Sequence, residues 1–212
     1  MAIQERLYTV EDVWQLAQQP ENEGKHYYLI DGELFWNMPP GFLHGHIAGL
    51  IFHYFLMFAE KHDLGKPTVE TGYFPADDRH TLLSPDVAFI RKENLPPADH
   101  EQFVARMPDL AVEIQSPSDR LAELRRKAAV YLRHGTEIVW LVLPKRAGVE
   151  VWPPGRQWHT GQRVHRSRRQ LDGRACIARL RVGITAAFPA LELRLLGRLD
   201  RITPSQKVKI AA

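Results

Sequence analysis

PDLAVEIQSPSDRLAELRRKAAVYLRHGTEIVW, from Pro108 to Trp140, is the stretch that decides the fold. Its first part alternates: Leu110, Val112 and Ile114 fall on one face of a strand, and Asp109, Ala111, Glu113 and Gln115 on the other. Ser116-Pro117-Ser118 then forces a tight loop. Beyond it, Leu121, Leu124, Ala128, Tyr131 and Leu132 recur at helical spacing, and Gly135 suits the residue just past a helix end. Ile138 to Leu143 is a second buried strand. Glu113 interrupts an otherwise apolar strand, and Lys127 stands beside Tyr131 on the helix.

Upstream, Ser84-Pro85-Asp86-Val87-Ala88-Phe89-Ile90 reads as a short strand that carries a second acid in an apolar setting. Before it, Thr68 to Phe74 reads as a strand, followed by a polar turn through Asp77, Asp78 and Arg79. From Phe42 to His62, Ile47, Leu50, Ile51, Tyr54, Phe55 and Phe58 mark a long core helix, with Gly65 as its stop. Asp31-Gly32 between Tyr27–Ile30 and Glu33–Trp36 is a two-residue hairpin signal, because both turn positions need positive φ. Thr9, with Asp12 three residues on, caps a short first helix. Downstream, residues 144–148 turn into the strand Val149 to Trp152. The expected fold is an α/β sandwich: a central mixed sheet flanked by helices, with an N-terminal helix and hairpin.

Two hundred and twelve residues can bury one core, and the 44% hydrophobic and 25% charged fractions exclude a disordered chain. We expect a single domain over 1–195, with its core at about 7–152, and a tail at 196–212. One cysteine, Cys176, excludes a disulfide scaffold and cysteine-based zinc sites. The first residues lack the apolar core of a signal peptide, and the apolar run from Ile47 to Ala59 is too short to cross a bilayer. The expectation is a cytoplasmic protein with no membrane partner. A net charge of +3 permits a nucleic-acid partner without requiring one. Arginines crowd 156–181, among them Arg163, Arg166, Arg168 and Arg169, which reads equally as a phosphate-tracking strip or a solvated surface.

If the strands bearing Asp86 and Glu113 are neighbours, their carboxylates can meet at one cation, and oxygen ligands select Mg²⁺ or Mn²⁺. Asp109 is four strand residues from Glu113, about 13 Å at ~3.3 Å per residue, too far to share that ion. Lys127 lies roughly 40° around the helix from Tyr131, on the edge of the buried stripe, where it can reach the strand face bearing Glu113. Taken alone it reads as an ordinary flank lysine. His44 and His46 are two apart and do not share a helix face, which argues against a zinc pair; His46 stays open as a phosphate contact. Two acids and a lysine are the parts of a metal-dependent phosphodiesterase.

Pro85-Asp86 followed by Glu113-Ile114-Gln115 resembles the core motif of the PD-(D/E)XK nuclease superfamily. More closely, the chain resembles a large bacterial family of small predicted restriction endonucleases within it. The matching pieces are LIDGEL (29–34), His46, SPDVAF (84–89), PDLAVEIQSPSD (108–119) and the run Lys127, Tyr131, Gly135, Trp140. The resemblance implies a restriction-endonuclease-like core with a cation on Asp86, Glu113 and the Ile114 carbonyl. Gln115 occupies the superfamily's lysine position, which implies that Lys127, on the following helix, supplies the positive charge, with Gln115 left to position water or phosphate and Tyr131 to orient the lysine. Glu33 and Glu70 read either as supporting acids or as purely structural ones, and Tyr28 stands where relatives often carry a glutamate.

The expectation is therefore a metal-dependent endonuclease that hydrolyses DNA phosphodiesters, acts as a homodimer and uses no small-molecule cofactor. The competing expectation is a nucleic-acid-binding protein that keeps the fold without turnover.

Overall fold

In the computed structural model, which describes residues 7–146 and 148–152, the chain starts by capping a helix. The Thr9 hydroxyl accepts the Asp12 N–H, and the Asp12 carboxylate accepts the Thr9 N–H at 2.9 Å, so two donors at the start of α1 (Val10–Ala17) are satisfied. Val10 and Val13 bury the inner face of α1 against Leu29, Phe74 and Leu82. β1 (His26–Ile30) and β2 (Glu33–Asn37) form the expected antiparallel hairpin, with φ of 53° at Asp31 and 83° at Gly32. Leu29 exchanges two backbone hydrogen bonds with Leu82, which pins the hairpin to the body.

α2 (Phe42–His62) places His44, Ile47, Ile51, Phe55 and Ala59 on one buried stripe. It closes on Asp63, in the left-handed conformation at φ 52°, not on Gly65 as the sequence suggested. Gly65 instead opens β3 (Gly65–Val69) at φ 145°, and a Cβ there would collide with the Ile90 carbonyl and lie 2.8 Å from Arg91 Cα. Taken whole, the 21 residues of α2 are long and apolar enough to cross a membrane by length and composition. That corrects the reading of the shorter Ile47–Ala59 run, although its buried stripe packs on β3 and its neighbours.

The larger sheet runs in the order β3, β4 (Val87–Arg91), β5 (Leu110–Ile114), β6 (Ile138–Leu143), β7 (Gly148–Trp152). β3, β4 and β5 are antiparallel in sequence, while β5 and β6 are parallel, so the sheet is mixed as expected. The expected strand over Thr68 to Phe74 stops at Val69, because Glu70 turns the chain at φ 47° and Tyr73 makes only isolated bridges to Leu83 and Val104. Every residue of β5 is buried, so both faces are covered. Val112 pairs with Trp140, whose ring meets Phe55 of α2 edge-on at 5.5 Å; Glu113 points to the opposite face.

That opposite face belongs to α3 (Leu121–Arg133), which buries Leu124, Ala128, Val130 and Tyr131 and ends before Gly135 at φ 99°. Arg125 grips Glu150 of β7 with two hydrogen bonds, 3.0 and 2.6 Å. At the far end of β5, buried Asp109 accepts the Arg91 N–H at 2.8 Å and the Asn94 amide at 2.9 Å. Its role is to fix that end of the sheet. Of the described residues, 7–142 and 150–152 fall in one compact unit and 143–146 and 148–149 in another. Arg163, Arg166, Arg168, Arg169 and the expected tail at 196–212 lie outside the described residues.

The two glycines of opposite character give a direct test. Gly49 is inside α2 with nothing within 4 Å of a Cβ, so Gly49→Ala should stabilise the protein by about 1 kcal/mol. Gly65→Ala should destabilise it by at least about 2 kcal/mol, through backbone strain and the collision at Ile90. Thermal denaturation of the two variants should move the midpoint in opposite directions.

Candidate active site

Register brings the acids together. Val87 pairs with Val112 and Ala88 with Ala111, so one step back along the antiparallel ladder sets Asp86 opposite Glu113. Asp86 is not itself a strand residue, as the sequence suggested; it occupies the bend just before β4. There its carboxylate accepts the Ile114 N–H at 2.5 Å and faces His44 Nε2 at 3.3 Å. A hydrogen bond from β5 and an imidazole from α2 therefore hold a side chain that no sheet ladder constrains.

Glu113 is 5% exposed and carries its partners with it. Lys127 Nζ donates to Oε2 at 3.2 Å, and the Tyr131 hydroxyl donates to Oε1 at 2.9 Å. Both donors stand on α3 four residues apart, one turn of helix, so a single face of α3 serves both oxygens. Burial pushes the Glu113 carboxyl above its ordinary value; the Lys127 charge opposes this and the Asp86 charge adds to it. Burial alone would depress the Lys127 ammonium, but the charges of Glu113, Tyr28 and Asp86 and the hydrogen bond to Glu113 together outweigh it and hold the group above its usual range. Burial, and then the Glu113 charge, push the Tyr131 phenol well up, so it remains a donor.

On its other side Lys127 sits 4.3 Å from the centre of the Tyr28 ring. Tyr28 stacks on Phe35 at 5.0 Å, and the Arg126 guanidinium lies 5.8 Å from the Phe35 ring. Where the resemblance led us to look for an acid, the chain has a ring face that holds the ammonium, an attraction that strengthens with desolvation.

These groups line the floor of a cleft of about 470 Å³. Its walls come from the hairpin (Tyr28, Trp36), the loop into α2 (Met38 to Gly41) and the loop after β5 (Ser116 to Asp119). Asp86, Glu113, Ile114 and Lys127 all reach it. Gln115 does not line it: its amide donates to the Asp119 carbonyl at 3.2 Å and closes the loop that forms one wall. Tyr131, read from the sequence as orienting Lys127, gives its hydroxyl to Glu113 instead. His46 is exposed and stacks on Phe42, while His44 is the histidine at the site. Glu33 is exposed beside Arg126 at 3.4 Å, and Glu70 lines the cleft with His26 at 3.8 Å.

His44 is the residue that sequence reasoning passed over. Its signal was present: stepping back from Ile51 and Ile47 along the buried stripe lands on His44, a polar residue at a core-facing position. Among the described residues, no three His, Cys, Asp or Glu side chains close on one point as a metal cage. The donors available to a cation are the Asp86 and Glu113 carboxylates and the main chain of Ile114. Two neighbouring carboxylates beside a single ammonium leave a formal charge of −1, and the Asp86 charge adds to the burial that raises Glu113. That donor set fits a hard divalent cation.

Removing Lys127 alone strands a buried carboxylate. Lys127→Met should therefore cost about 3 kcal/mol, whereas adding Glu113→Gln to it should recover most of that loss. Urea denaturation of both single variants and the double variant measures the coupling, and strictly additive effects would contradict the pairing.

The model of the Uma2 family, described as a putative restriction endonuclease, matches residues 10–186. No curated protein matches the chain. Among solved structures, a putative nuclease of the DUF820 group from Anabaena variabilis is similar, with a TM-score of 0.62 and 19% identity over 82% of this chain and 99% of that one. At that identity the likeness establishes the fold, which is restriction-endonuclease-like, and the family match supports a nuclease function. This chain belongs to the Uma2 family.

Proposed function

We propose that this protein is a cation-dependent endonuclease that hydrolyses phosphodiester bonds of DNA in the cleft above Asp86 and Glu113. The observation that carries the reading is the pairing of β4 with β5, which sets two carboxylates side by side next to a buried lysine. Asp86, Glu113 and the Ile114 carbonyl would hold Mg²⁺ or Mn²⁺. The ion, when bound, supplies a Lewis acid for the phosphoryl oxygen and acidifies a bound water.

The chain's own groups do the rest. Lys127, fixed between Glu113 and the Tyr28 ring, presents a positive charge that is already desolvated, so it needs little reorganisation to stabilise charge developing on a phosphate. Tyr131 holds one Glu113 oxygen and so fixes the carboxylate plane. Gln115 shapes the wall through Asp119. A homodimer, which would let two clefts address two strands, is part of the same proposal.

One observation favours the reading without turnover: both Glu113 oxygens already have donors on α3. The test separates the two. Supercoiled plasmid should be nicked in Mg²⁺ or Mn²⁺, chelation should abolish nicking, and Asp86→Ala should reduce it by a factor on the order of 100 or more. Equal nicking by wild type and variant would remove Asp86 from the chemistry. DNA retention with no cleavage in either would favour the binding-only protein.

A further inference from the structure

The imidazole of His44 is 9% exposed in a stripe otherwise made of Ile47, Ile51, Phe55 and Ala59. A polar ring in such a place is destabilising unless it is bonded. Its bonds all go to one place. Nε2 is 3.3 Å from Asp86 Oδ2. Among the described residues Nδ1 is buried with no hydrogen-bond partner, which leaves Asp86 as the ring's polar contact there.

The same Asp86 oxygen accepts the Ile114 N–H at 2.5 Å. His44, Asp86 and Ile114 thus form a closed knot around Oδ2, which leaves the second carboxylate oxygen for the cleft. Asp86 precedes β4 and has no ladder hydrogen bonds to set its orientation. Two groups set it instead, and one is delivered from the first turn of a helix whose remaining stripe is locked in the core. At 3.3 Å from Oδ2, Nε2 is the ring nitrogen whose proton can be given to Asp86.

We propose that His44 is a positioning residue: from α2 it holds the Asp86 carboxylate, which accepts the Ile114 N–H, in the orientation in which it meets a divalent cation. This rests on the cation-dependent reading above. Outer-shell partners of this kind typically set metal affinity by 10- to 100-fold. The mechanism also distinguishes between substitutes. A glutamine amide nitrogen reaches the place of Nε2, an asparagine nitrogen only that of Nδ1, and leucine fills the volume with no donor.

Mn²⁺ affinity, read from the free-ion electron paramagnetic resonance signal, should be within about threefold of wild type in His44→Gln. It should be weaker by about 10-fold or more in His44→Asn and His44→Leu. Thermal melts of the same proteins report folding separately. Leucine binding Mn²⁺ as wild type does, or Gln and Asn variants binding equally, would overturn the role for His44 while leaving the cation reading intact. If leucine does not fold there, the Gln and Asn pair alone decides. A wild-type protein that takes up no Mn²⁺ would overturn the cation reading, and this proposal with it.

Discussion

A carboxylate in the middle of a fully buried strand is the constraint around which this molecule is arranged. Glu113 is 5% exposed, and an isolated charge in such a place costs several kcal/mol. The side-chain donors that Glu113 needs do not come from the sheet. They come from α3, and the demand that Lys127 and Tyr131 both reach one carboxylate fixes the rotation of that helix about its axis. Arg125, two residues before Lys127, ties the same helix to Glu150 of β7. A single buried acid thus sets the position of the element that packs over it.

The second acid is handled differently. Asp86 is partly exposed at the mouth of the sheet, and its orientation depends on groups from two other elements. The contrast is physically sensible for a site of this type. One carboxylate is held in the core by a fixed ammonium, and the other faces the cleft with one oxygen tied down. Tyr28 and Phe35 complete the arrangement by giving the ammonium an aromatic wall in place of water.

Much of this is legible in the chain alone. Period-two and period-3.6 patterns place β5, α3 and β6 within a residue or two, Asp31-Gly32 sets the hairpin, and Thr9 with Asp12 sets the first cap. Helix geometry puts Lys127 on the edge of a buried stripe, and only the family resemblance singles it out. What escapes depends on contacts that no periodicity encodes. Glu70 adopts positive φ and ends β3 early, although its neighbours have strand propensity. Tyr131 lies near Lys127 in sequence, yet its hydroxyl is aimed at Glu113, which depends on the angle between helix and sheet. For His44 the place on the α2 stripe was readable, and what escaped was its contact with Asp86.

The family relation fits this picture. The similar solved structure shares the fold at 19% identity, so the fold tolerates change at most positions. Central to the proposed function is a cation site that the β4–β5 register makes of Asp86 and Glu113. The most direct measurement is anomalous diffraction from crystals soaked in Mn²⁺. One strong peak is expected in contact with both carboxylates, on the Ile114 side of the cleft floor. A saturating soak that leaves that position empty while Mn²⁺ binds elsewhere would contradict it.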